Sequence, residues 1–285
     1  MRKNFLNKSK AAKILSIDGV FQPHLKGGTG MSRLSSGYLL RFALISIFLA
    51  VVLVPSLISA GEFRVTPIRL DFDRGAKSGV ITVINEGEDK LHVQMKAFEW
   101  TQDAEGKDQY VETHDIIFFP RMMTLEKKEE KILRAGIKIP ATTKEKTYRL
   151  FIEEIPGPRK VEGVNVAIAI RFGVPIFVKP FKDDAKGVIE KIELSKGVLN
   201  VHVKNAGNVH LIIHSVNIKG KSVKEEETFS KELSGWYLLS NVSRIYTTPI
   251  PGESCKNIAK LEIEIKTNRF NFNGKLDVVQ AMCLP

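Results

Sequence analysis

The sequence predicts an all-β protein, two antiparallel β-sandwiches in tandem behind an N-terminal export signal. Three observations predict it. From Phe63 onward apolar residues alternate in short runs, the period of half-buried strands. Turn residues such as Asn85-Glu86-Gly87-Glu88, Pro156-Gly157-Pro158 and Asn205-Ala206-Gly207-Asn208 punctuate those runs at the spacing of a sandwich. No apolar stripe at i, i+3, i+4, i+7 occurs outside the signal.

The signal is read from Phe42 to Ile58, an uncharged apolar run of 17 residues. Arg33 and Arg41 precede it and Leu57-Ile58-Ser59-Ala60 follows, which is the order of a secretory signal peptide with cleavage after Ala60. The other reading is a membrane anchor. The run is short against the about 20 residues a spanning helix needs, and Pro55 interrupts it. Met31 opens a stretch of ordinary signal length, so residues 31–60 are read as the signal peptide and 1–30 as lying before the true start. The expected location is therefore the periplasm, with no membrane insertion after cleavage.

Strand by strand, Val80–Ile84 stops at Asn85, and Leu91–Phe98 stops at the polar stretch Thr101–Gly106. Lys131–Ile139 stops at Pro140, and Tyr148–Ile155 at Pro156. Val164–Val178 reads as one long β-rich run. Phe181–Gly187 is polar and turn-rich, as a linker is. It separates a domain at 61–181 from a smaller one at 186–285. In the second, Val198–Val203, Leu211–Ile218, Leu261–Ile265 and Leu276–Met282 read as strands.

The 285 residues carry a net charge of +11, but residues 1–60 hold eight Lys/Arg and one acid and so supply +7 of it. The remaining +4 is too weak to imply nucleic acid. The only cysteines, Cys255 and Cys283, sit in one domain of an exported chain and are expected to pair. His202, His210 and His214 lack supporting ligand residues and read as half-exposed strand histidines, so no metal is expected. No nucleophile elbow, phosphate loop or dinucleotide fingerprint occurs. Glu153 and Glu154, neighbours on a strand, point to opposite faces and form no carboxylate pair. The expectation is a protein with no catalytic residues and no cofactor.

Three stretches carry a resemblance. Val65-Thr66-Pro67-Ile68-Arg69 opens the first domain. Phe119-Pro120-Arg121, Ile132-Leu133-Arg134 and Tyr148-Arg149-Leu150-Phe151 with Glu154-Ile155-Pro156 follow. Val166 to Pro180 closes it. In this order the sequence resembles the PapD-like periplasmic pilus assembly chaperones, as a divergent branch. The resemblance implies two immunoglobulin-like domains. It also implies that the last strand of the first domain is lent to pilus subunits whose own sandwich lacks one. Val166, Ile168 and Ile170 match the donor positions, although period two alone would equally fit a strand facing its own core. The family anchors a subunit's C-terminal carboxylate between two basic residues. Arg69 matches the first, while Pro175 stands where the second, a lysine, belongs; Arg171 and Arg149 are the candidates to replace it. Pro175 lacks an N–H and so fits an edge strand. Gly235-Trp236-Tyr237 reads mainly as packing.

The implied function is capture of pilus or fimbrial subunits by donor-strand complementation and their delivery to an outer-membrane usher. Self-association of the free protein through its apolar strand is also expected. The alternative is a structural or adhesive immunoglobulin-like envelope protein with Val164–Val178 packed internally.

Overall fold

A computed structural model describes residues 63–156 and 169–284. The signal segment and two of the three donor positions, Val166 and Ile168, lie outside them. Among the described residues no helix is long and apolar enough to cross a membrane.

The first sandwich holds β1 (Phe63–Thr66), β2 (Leu70–Phe72), β3 (Ser78–Asn85), β4 (Leu91–Gln102), β5 (Asp108–Glu112), β6 (Ile116–Phe119), β7 (Met122–Leu125), β8 (Glu130–Ile137), β9 (Lys146–Glu154) and β10 (Arg171–Val178). One sheet runs β1-β3-β8-β6; the other runs β2-β10-β9-β4-β5, with β7 beside β4. The alternation predicted for β3, β4 and β8 is what buries Ile81, Val83, Val93, Leu133 and Ala135 between the sheets. Each of the valine, leucine and isoleucine side chains is worth about 1.5–3 kcal/mol against exposure.

The second sandwich holds β11 (Gly187–Ser195), β12 (Val198–Asn205), β13 (Leu211–Lys221), β14 (Glu227–Ser234), β15 (Tyr237–Leu238), β16 (Ser243–Pro249), β17 (Lys260–Thr267) and β18 (Asn271–Asp277). Its sheets run β11-β12-β16 and β14-β13-β17-β18, with β15 on β13. Two expectations need correction. The described part of the Val164–Val178 run is strand only over Arg171–Val178. Leu276–Met282 is not one strand: β18 ends at Asp277, and a 3-10 turn follows at Gln280–Cys283. A short helix, α1 (Gly252–Asn257), also went unpredicted, since one turn carries too little periodicity to read.

The two sandwiches share a device. Asn85 ends β3 and Asn205 ends β12, and each is buried. Asn85 Nδ2 donates to the carbonyls of Asp89 and Glu126 at 2.8 and 3.0 Å, and its Oδ1 accepts from Gly87 at 3.0 Å. Asn205 Nδ2 donates to Val209 and Leu238 at 2.7 and 2.9 Å, and its Oδ1 accepts from Gly207 at 3.0 Å. An Asn two residues before Gly thus plugs one end of each core with its polar atoms satisfied. In sequence both read only as turns.

Cys255 on α1 and Cys283 on the closing 3-10 turn are disulfide-bonded, with Cα atoms 5.8 Å apart. Their separation of 28 residues makes reduction cost about 3 kcal/mol on the loop-closure argument. Urea unfolding with and without reductant should show that loss. An unchanged midpoint would mean that the bridge does not stabilise the domain.

Candidate functional site

The sheet β2-β10-β9-β4-β5 has one face in the core and one outside it. Tyr148, Leu150, Ile152, Val174 and Ile176 point inward. The opposite parity places Arg149, Phe151, Glu153, Arg171, Gly173 and Phe177 on the outer face. On β4 the same face ends in Trp100, which is fully buried although it lies outside the core. Trp100, Phe177 and Leu239 form a separate apolar cluster joined by Tyr237 and Val242. Residues of both sandwiches therefore meet over this end of the sheet. Trp100 and Tyr237 rings meet edge to face at 5.2 Å, and Phe177 and Tyr237 stack at 5.8 Å.

Two predicted anchor arginines reach this ring cluster. Arg149 is buried, its guanidinium 3.9 Å from the centre of the Trp100 ring and 5.5 Å from that of Tyr237. One Nη donates to the Gly173 carbonyl at 3.0 Å, and its buried Nε has no partner among the described residues. Register places Arg149 directly across from Pro175, the position where the lysine is missing. Arg69 lies just before β2, its guanidinium 5.0 Å from the Phe177 ring centre. It is paired at two points with Asp71, Nε and Nη donating at 2.7 and 2.6 Å. That hydrogen-bonded pair holds Arg69 above the usual guanidinium pKa and so firmly charged.

The third candidate is elsewhere. Arg171 stacks on Phe151, 3.6 Å from its ring centre, and its Nε donates to Glu153 at 2.6 Å. Phe98 and Tyr110 pack edge-on against the same ring at 5.5 and 5.3 Å. Gly173 makes the shelf possible, since a Cβ there would stand 2.8 Å from Phe151. The structure thus brings Arg69 and Arg149 together on one ring cluster and commits Arg171 to another.

One reading of the histidines is overturned. His210 is buried, not half-exposed, whereas His214 is exposed and His202 intermediate. Its Nδ1 and its backbone N–H both meet the same Glu145 Oε2 at 2.8 Å, and its ring stacks on Phe177 at 3.7 Å. Both side chains of the pair are 2% exposed, so Glu145 of the first sandwich and His210 of the second form a dry polar tie. The tie was illegible in sequence because its members are 65 residues apart. Trp236, read with Tyr237 as packing, is 45% exposed and donates its indole N–H to Asp108 at 3.0 Å.

β10 is unevenly paired. β9 runs beside it from Arg171 to Val178, whereas β2 joins its other edge, in parallel, only from Ile176 to Val178. Among the described residues the edge over Arg171–Pro175 has no strand on it. Pro175 sits within that open half, so the strand is central at one end and edge at the other. Ile170, the described donor position, is half-buried and packs against the first core with Phe172.

Residues 62–182 match the family model described as pili and flagellar-assembly chaperone, PapD N-terminal domain. No curated relative matches the sequence. Among solved structures, the complex of the CsuC chaperone with the CsuE tip adhesion subunit, from the archaic chaperone-usher Csu pili of Acinetobacter baumannii, is similar. It is 18% identical over 75% of this chain and 98% of that one, with a TM-score of 0.53. The class 5 fimbriae chaperone CfaA aligns at 16% identity over 76% of this chain and 99% of that one, TM-score 0.48. The Pseudomonas aeruginosa CupB2 chaperone aligns at 14% over 76% and 100%, TM-score 0.47. At 18% identity the likeness to the CsuC complex speaks for the fold, a pair of immunoglobulin-like sandwiches. The first sandwich, over 62–182, thus matches the N-terminal domain of the PapD-like pilus chaperones, and the fold of the whole described chain is similar to theirs.

Proposed function

We propose that this protein is a periplasmic chaperone that captures pilus subunits by lending them the edge of β10 and the segment before it, and that Arg69 and Arg149 receive the subunit's C-terminal carboxylate. One observation carries the reading: β2 lies parallel to β10 but begins only opposite Ile176. A guest strand laid on the vacant half, in line with β2 and in its direction, would end at Arg69. Run parallel, it brings a C-terminus there; run antiparallel, an N-terminal amine, which two guanidiniums repel. Backbone pairing along Arg171–Pro175 would supply affinity, and the cations would select the end and the direction.

The test is co-purification of the exported protein from periplasm, with mass spectrometry of what it carries. The expected partner is a small β-rich subunit in one-to-one complex, encoded beside an outer-membrane usher. A protein that purifies alone when such subunits are co-expressed would favour the structural envelope reading.

A further inference from the structure

Arg69, assigned above to a partner's carboxylate, already holds a carboxylate of its own chain. Leu70 points into the core and is buried, so its neighbours Arg69 and Asp71 share the opposite face. Asp71 stands at the register of Phe177, the ring beside which the Arg69 guanidinium lies. Both oxygens of Asp71 are engaged, at 2.7 and 2.6 Å, on the Nε and one Nη. The pair is open to solvent, since each side chain is 33% exposed. Arg149 differs: it has no carboxylate partner among the described residues, only the Gly173 carbonyl. Glu145, the other carboxylate near the rings, is taken by His210.

We propose that Asp71 is a resident competitor, which holds Arg69 in the free protein and must share or yield it when a partner's terminal carboxylate enters. The inference rests on the anchor reading above. Exchanging one carboxylate for another keeps the number of charge-assisted hydrogen bonds on Arg69 nearly constant, so the terminus gains less from Arg69 than it would from an unpaired guanidinium. Holding a partner then depends on its strand as well as its end, and the anchor stays weak enough to release. A purely positioning role for Asp71 predicts the opposite sign, because a guanidinium freed from its guide would bind less well.

The two roles separate in a titration of the exported protein with N-acetyl-leucine, a minimal C-terminal carboxylate, and with N-acetyl-leucinamide as its uncharged twin. Binding is read from the arginine Nε–H signals by NMR. Asp71→Asn should bind N-acetyl-leucine about two- to five-fold tighter than wild type, the weight of a partly exposed ion pair, with no gain for the amide. Asp71→Ala should shift in the same direction, which removes dependence on the asparagine amide. Equal or weaker carboxylate binding by both variants overturns the competitor role. Arg69→Ala and the double variant Arg69→Ala/Asp71→Asn should lose the preference for carboxylate over amide. If Arg69→Ala keeps that preference, the anchor itself lies elsewhere and the competitor role falls with it. If Arg69→Ala loses it while Asp71→Asn gains nothing, the anchor stands and only the competitor role fails.

Discussion

Arg69→Ala is expected to weaken capture of the co-purifying subunit by about 2–5 kcal/mol while leaving the unfolding midpoint of the free protein near wild type. The two effects part because of where the residue lies. Arg69 precedes β2, and its side chain is one-third exposed. Its partners are an equally exposed Asp71 and the rim of Phe177. An ion pair so placed contributes about 0–1 kcal/mol to folding. Arg149→Ala should behave differently. Its stem and guanidinium are buried over Trp100, so truncation opens a gap and leaves the Gly173 carbonyl short of a donor, at about 1–3 kcal/mol of stability. Capture should fall as well. Arg149→Lys keeps the charge but not the planar fork, and should recover part of each. Arg171→Ala should touch capture least, because its guanidinium is already committed to Glu153 and Phe151. Binding isotherms and thermal melts on the same four variants check the set. Loss of capture in Arg171→Ala alone would move the anchor from the ring cluster to the Phe151 shelf.

The strands were legible because most of them keep one face dry and one wet. β3, β4 and β8 alternate in sequence and alternate in burial. β9 does not: Tyr148 to Ile152 is buried without a break. Its inner residues face the core, and Arg149, on its outer face, lies among Trp100 and Tyr237. No local pattern could foretell that, because the cover comes from a segment some ninety residues later. The same reason hid the burial of His210. Arg149 could be named from the missing lysine at position 175. What placed it was the register, Pro175 opposite Arg149, which only the folded sheet supplies. Asp71 was overlooked for a simpler cause. In Leu70-Asp71-Phe72 an acid between two apolar residues is the ordinary wet side of a strand, and nothing local marks it as bound to Arg69.

Ile168→Asn should abolish subunit capture while changing the melting temperature of the free protein little. The neighbouring described residues set the expectation. Ile170, Phe172, Val174 and Ile176 share one parity, and burial along them deepens from partial at Ile170 to complete at Ile176. Among the described residues this row is thus least buried at its start, and Ile168 has the same parity in sequence. Among the described residues the ladder of β9 with β10 ends at Glu153, followed by one bond from the Glu154 N–H to the Ile170 carbonyl, and the Ile155 N–H donates to the His92 carbonyl. Apolar side chains of that parity find their burial in a partner's groove if the strand is lent. An asparagine there would place an amide in the groove without hydrogen-bond partners, and capture would fail. Ile170→Asn, a control two residues on, should harm both, since Ile170 shares the parity of the proposed donor positions and already packs on the first core. The opposite pattern is equally sharp. If position 168 belongs to the protein's own core, Ile168→Asn costs several kcal/mol and lowers the melting temperature by many degrees, more than Ile170→Asn does. Melts of the two free variants, set beside pull-down of the co-expressed subunit, decide between a lent strand and a structural one.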